Sequence, residues 1–150
     1  MGARIICVGN RHLVGDDAGS RVFDALAAGP LPDGVEVVDG GLGGIDLLGL
    51  VEGRRRVVFV DTVNGFGAPG EVMVLSREQA ARNAVGAYGH AAGLGYLLKM
   101  LPAVCEGPMP EVLLVGVEGN ASSAAIGRMA DLCLILAVHG AEMLGEAELC

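Results

Sequence analysis

Five short runs rich in Val and Ile punctuate this chain: RIICVG (residues 4–9), VEVVDG (35–40), RVVFVDT (56–62), GEVMVLS (70–76) and EVLLVGV (111–117). Within them apolar side chains follow one another instead of alternating with polar ones. A strand of that kind has two faces to bury, whereas a sheet wetted on one side would alternate. The segments between the runs carry helical spacing: Val22, Phe23, Leu26 and Ala27 fall on one face of a helix over residues 19–28, and a shorter helix fits 45–51. A third helix fits residues 91–101 and stops before Pro102; a last one starts at Ser122 or Ser123, both good N-caps, and runs to about residue 144. The linker NGFGAPGEV between the third and fourth runs is rich in turn residues and too short for a crossover helix, which predicts an antiparallel pairing of those two strands at one edge. The expected fold is therefore a three-layer, doubly wound α/β arrangement. It has a mostly parallel five-stranded sheet, one antiparallel edge strand and helices on both faces, with residues 1–150 forming a single domain.

Charge and motif content narrow the function. A net charge of -8 repels phosphate backbones, so nucleic acid is not an expected partner. The one basic cluster, Arg54-Arg55-Arg56, reads as a solvated loop or as a patch for an acidic partner. The first apolar stretch, about five residues long, is too short for the core of a signal peptide. The run from Leu132 to Val138 falls far below the roughly 18 residues of a membrane span. A cytoplasmic protein without a membrane partner is the expectation. Cys7, Cys105, Cys133 and Cys150 form no CxxC pair, and Cys7 and Cys133 sit in apolar segments where a thiol packs as a small hydrophobe. No G-x-S-x-G elbow surrounds Ser20, Ser76, Ser122 or Ser123, so a serine hydrolase is not indicated. The DGGLGG stretch at residues 39–44 is neither G-x-G-x-x-G nor a P-loop; its glycines suit close backbone approach to the first loop or to an incoming peptide.

In open α/β sheets, ligands collect outside the carboxyl ends of the strands. The polar residues expected there are Asn10, His12, Asp16 and Asp17 after the first strand, Asp39 after the second, and Asp61, Thr62 and Asn64 after the third. His90 lies before the following helix. Asp61 ends an apolar run, where a carboxylate either takes backbone N–H bonds or faces a ligand. With Asp16 or Asp17 and with His90 it makes an oxygen, oxygen and nitrogen set on three loops, able to bind a divalent transition ion and leave positions open. His90 has an alternative use as a cap, and His12 and His139 read as surface or packing residues. A non-catalytic metal- or nucleotide-binding module on a Rossmann-like sheet is the competing reading.

The stretches VGNRHLVGDDAGSRV, EVVDGGLGGIDLL, VVFVDTVNGFGAPGEVMVL, GHAAGL and LLVGVEGN, in this order over nearly the whole chain, resemble the hydrogenase maturation proteases. That resemblance implies an aspartyl-type endopeptidase that removes the C-terminal extension of the nickel–iron hydrogenase large-subunit precursor. It also implies nickel supplied by the substrate, with cadmium and similar ions able to substitute; a monomer is the expectation for the oligomeric state. By position, the family's metal-contacting residues fall on Asp16, Asp61 and His90. The loop departs from the family pattern in having Gly15 where the first acid usually stands and Asp17 after the second, so Asp17 is the alternative ligand and otherwise a helix cap. Asp39 is the remaining carboxylate with a candidate catalytic role, its other use being hydrogen bonding at a turn. The resemblance further implies that the scissile bond, just beyond a CxxC-containing motif of the precursor, lies against the DGGLGG loop.

Overall fold

A computed structural model describes residues 2–82 and 93–144. Along the chain run β1 (Ala3–Val8), α1 (Ala18–Ala27), β2 (Val35–Gly41), a 3-10 turn (Ile45–Leu47) leading into α2 (Leu48–Val51), and β3 (Arg56–Val63). After these come β4 (Val72–Ser76), α3 (Arg77–Ala81), α4 (Leu94–Val104), β5 (Glu111–Glu118), α5 (Ser123–His139) and a 3-10 turn (Ala141–Met143).

The five strands form one sheet in the order β2-β1-β3-β5-β4. The β1–β2, β1–β3 and β3–β5 pairs are parallel and β4 is antiparallel to β5. One expectation is corrected here: β4 is the reversed edge strand, but its partner is β5, which inserts between β3 and β4. The linker after β3 therefore spans a strand position instead of making a tight hairpin.

Alternate residues of each strand feed two separate cores, as the period-2 geometry of a strand requires. Ile5 and Cys7 of β1 and Val58 and Val60 of β3 pack with α1 and α5 through Val22, Leu26, Met129 and Leu136. Ile6 and Val8, with Val57 and Phe59, pack on the other face against α2 and α4 through Val51, Leu97, Leu98 and Leu101. Both faces of the inner strands are buried, which accounts for their continuously apolar sequence.

Four local features depart from sequence expectation. The last helix, α5, ends at His139 before Gly140 rather than near residue 144. Pro102 lies inside α4 rather than beyond its end. Proline lacks the N–H that would bond to the carbonyl four residues back, and the Leu98 carbonyl freed in this way accepts instead from Arg77 Nη1 at 2.8 Å. Arg77 belongs to α3, a five-residue helix not anticipated from the sequence, which Ser76 and Gln79 start with reciprocal side-chain bonds. Arg56 is not part of a solvated patch: it is buried, pairs with Glu111 at 2.6 Å and donates to the carbonyls of Ala137 and Val138 at the end of α5. Arg54 pairs with Glu36 at 3.2 Å.

Candidate active site

The chain order puts β2 on one side of β1 and β3 on the other, so the sheet reverses direction at β1/β3, where an open α/β sheet offers a crevice. Pairing between β1 and β3 ends at Cys7 and Val60. Asp61 is the next residue of β3, so its side chain stands where the neighbouring strand has left. It shares strand parity with Val57 and Phe59 and therefore faces the α4 side of the sheet.

The loop from β1 to α1 brings Asp16 to the same crevice. Asn10 N–H donates to both the backbone carbonyl of Asp16 at 2.9 Å and its Oδ2 at 3.1 Å, folding the loop back on itself. The Asn10 side chain accepts from His12 N–H at 2.9 Å, and Leu13 N–H donates to the Asn10 carbonyl at 3.1 Å. Two glycines are required. Gly19 lets α1 lie directly on β1, since a Cβ there would sit 2.0 Å from the Val8 carbonyl oxygen. Gly15 has φ of +89°, and a Cβ on it would lie 2.9 Å from Asn120 Oδ1. An acid at position 15 would meet both obstacles, which is a physical reason for the acidic pair to stand one position later in this chain.

Asp16 and Asp61 line one cavity of about 920 Å³ with Val8, Gly9, Leu42, Thr62, Asn64, Phe66, Leu94 and Leu98. Asp61 Oδ1 accepts from Thr62 N–H at 2.8 Å. Burial nevertheless holds the Asp61 carboxyl well above the usual carboxylate range. The Thr62 bond opposes that shift, and the negative charge of Asp16 adds to it. Two carboxylates coupled in a largely apolar cleft are a donor set suited to a divalent cation, whose charge would offset both the burial and the repulsion. His90, the third expected ligand, lies outside the described residues. The first residues after that stretch, Gly93 and Leu94 at the start of α4, line the same cavity. Among the described residues, no three His, Cys, Asp or Glu side chains form a metal-holding group.

The other candidates stand elsewhere. Asp17 occupies the N-cap position of α1 but makes no side-chain capping bond, so its expected role as a hydrogen-bonding cap is not realised. Asp39 is not among the cavity-lining residues. Its Oδ1 accepts from Gly41 N–H at 2.9 Å, a turn bond, and its Oδ2 lies 3.8 Å from Arg11. Gly9 N–H donates to the Gly41 carbonyl at 2.8 Å, so the glycine loop lies against the first loop. His12 and His139 are exposed. Burial pushes the Cys7 thiol up to about 12, with Asp39 and Asp24 adding to the shift, and raises the buried Cys133 as well. Neither is a thiolate nucleophile at neutral pH. Sequence reasoning missed Glu118, a buried carboxylate that binds the 65–67 loop at the cavity wall. A Glu at the end of an apolar strand, like Asp61, was the available signal.

The profile of the hydrogenase maturation proteases (HycI) matches residues 20–129. The chain belongs to the hydrogenase maturation protease family. It is 33% identical over 126 residues to the hydrogenase 2 maturation protease of Escherichia coli K12, covering 82% of this chain and 76% of that protein. Among solved structures it is similar to the hydrogenase maturating endopeptidase HybD from E. coli, with a TM-score of 0.79, 27% identity and 94% of each chain covered. It is also similar to the hydrogenase 2 maturation peptidase from a Thaumarchaeota archaeon, with a TM-score of 0.61, 30% identity, and 93% and 99% coverage. The α/β fold of the family is the fold found here, and membership makes the protein a peptidase. The competing reading of a nucleotide- or metal-binding module gains nothing from these matches.

Proposed function

We propose that this protein is the endopeptidase that removes the C-terminal extension of a nickel–iron hydrogenase large-subunit precursor, and that the nickel already bound in that precursor is its recognition element. The observation that carries the reading is the meeting of Asp16 and Asp61 in one cavity at the β1/β3 switch point. Nickel enters as part of the substrate, with other divalent ions such as cadmium able to occupy the same oxygens. Asp16 and Asp61 supply two oxygen ligands, and His90 supplies a nitrogen.

The physical logic is tethering. Holding the precursor by its metal turns the approach of the scissile bond into an intramolecular step, which removes much of the entropic cost of positioning it. A precursor without the metal lacks that anchor and is discriminated against. The cavity mouth supports a peptide substrate: Val14, Leu42 and Leu13 are 84%, 73% and 56% exposed, the three most exposed large hydrophobic residues described, and all three line this cavity. Apolar surface concentrated at one cleft is the signature of a surface that is covered in use. The glycine loop around Leu42 is then a bank for the chain near the cut, and Asp39 holds the shape of that bank through its turn bond. In this reading the enzyme works as a monomer in the cytoplasm. Separately, among the described residues, no helix is long and apolar enough to cross a membrane.

Mass spectrometry of the nickel-loaded precursor after incubation with the protein tests the assignment. Loss of the C-terminal extension is expected with the wild type, and at least about a hundredfold slower loss with Asp16→Asn or Asp61→Asn, the range for removing a transition-state or anchoring contact. Wild-type speed in either variant overturns the roles given to these carboxylates.

A further inference from the structure

Glu118 closes β5 as a buried carboxylate, only 8% exposed. Its Oε2 accepts from Gly65 N–H at 2.8 Å, and its Oε1 accepts from Phe66 N–H at 2.9 Å and Gly67 N–H at 3.1 Å. Consecutive amides converging on one anion make a nest of the kind that binds external phosphate or carboxylate. Here the chain fills the nest itself. A buried carboxylate is costly unless its oxygens are paired, so leaving this arrangement would forfeit all three bonds together. Gly70 N–H donates to the Glu118 carbonyl at 2.6 Å, and Glu118 N–H donates to the Glu71 carbonyl at 2.9 Å, fixing the same loop from its far end.

Gly65 and Phe66 line the cavity on the side that follows Asp61. Two residues beyond Glu118, Asn120 reaches the opposite side: its Oδ1 packs over Gly15, next to Asp16. One short connection between β5 and α5 thus touches both walls of the cleft.

We infer that Glu118 is a positioning residue for the peptide substrate: by clamping the amides of residues 65–67 it sets the shape and width of the cleft in which the precursor lies. The inference rests on the function proposed above and adds a residue that touches neither the metal-binding carboxylates nor the reacting atoms. Loss of the clamp leaves Asp16 and Asp61 in place and removes a wall from the substrate groove, so substrate binding suffers more than turnover. A residue that merely supports the fold would behave differently, lowering the active fraction and hence kcat while KM stays put.

Steady-state cleavage of the nickel-loaded precursor by wild type, Glu118→Gln and Glu118→Ala, together with amide hydrogen exchange of the free proteins, tests this. The expected result for Glu118→Ala is a KM raised about tenfold or more with kcat within about threefold of wild type, the pattern of lost binding. Exchange at residues 65–67 is expected to be faster. Glu118→Gln keeps one acceptor oxygen and is expected to fall between the two. An unchanged KM in Glu118→Ala, with or without a fall in kcat, or unchanged exchange at 65–67, overturns the positioning role; should the alanine variant not fold, Glu118→Gln carries the same two comparisons. A wild-type protein that leaves the precursor intact overturns the proposed function and takes the substrate role of Glu118 with it. Wild-type cleavage with an unaltered KM in the variant overturns the positioning role alone.

Discussion

At the scale of single residues, the site is governed by the unequal settings of its carboxylates. Asp61 is held in its protonated form to higher pH than an ordinary carboxylate, first by burial and then by Asp16. The folded protein therefore binds more protons than the unfolded chain at pH values between the usual carboxylate range and the raised Asp61 value. Stability falls as pH rises through that window. Asp61→Asn, uncharged throughout, is expected to flatten this part of the stability profile and to melt higher than wild type at neutral pH. Thermal melts of both proteins across pH check this, and parallel profiles would show that Asp61 is not strained by its surroundings. A second residue-level prediction concerns the cavity mouth. Leu42→Asp is expected to weaken precursor binding roughly tenfold, in line with the value of one buried Leu side chain, while stability changes by less than about 0.5 kcal/mol. Binding titrations with a cleavage-resistant precursor measure the first and urea denaturation the second; unchanged affinity would remove Leu42 from the substrate surface. At this scale the sequence was partly legible. Strand-end logic identified Asp61 and left Asp16 and Asp17 as alternatives, the family resemblance favoured Asp16, and Asp16 and Asp61 do share a cavity. Asp39 and Asp17 carry the same chemical group, and only three-dimensional placement separates them: one is bound to a turn and the other stands at a helix start without a capping bond.

At the scale of elements, the Val- and Ile-rich runs identified all five strands; in β1, β3 and β5 burial on two faces leaves that compositional mark, whereas the edge strand β2 has no fully buried residue. Pairing left no such mark. The neighbour of β4 is decided by β5 inserting between β3 and β4, and β5 lies 35 residues downstream of the end of β4 (Ser76 to Glu111). Helix ends were legible in part: Ser122 accepts from Ala125 N–H at 3.1 Å and begins α5 as expected, but the helix stops at His139, with Gly140 at φ of +75°, and not near residue 144. They were not legible where a distant side chain intervenes. Pro102 is tolerated in α4 because Arg77, 25 residues earlier, occupies the carbonyl that the proline leaves free. Arg77→Met keeps the aliphatic stem and removes that donor. It is expected to destabilise the protein by about 1–3 kcal/mol, the cost of leaving a buried acceptor unpaired. Urea unfolding measures the change, and a loss under about 0.3 kcal/mol would mean that water replaces the guanidinium without penalty.

At the scale of the whole molecule, the fold works as a frame that delivers separate loops to one edge of the sheet. Two cores of opposite face hold β1 and β3 rigidly in the middle, and the chain reversal between them opens the crevice. Arg56 ties the opposite edge together by binding both Glu111 and the last carbonyls of α5, so the basic cluster that read as surface serves the frame. A charge run does not reveal which of its members turns inward; Arg56 does so because it begins a buried strand. The net charge of -8 was legible at this scale, and it accords with a site built from carboxylates rather than one built for phosphate. The central claim is that these carboxylates read a metal carried by the substrate. The most direct measurement compares cleavage of the same precursor in its nickel-loaded and nickel-free forms by intact mass spectrometry, with no metal added to the enzyme. The expected result is removal of the extension from the loaded form and an intact nickel-free form, while equal cleavage of both would contradict the claim.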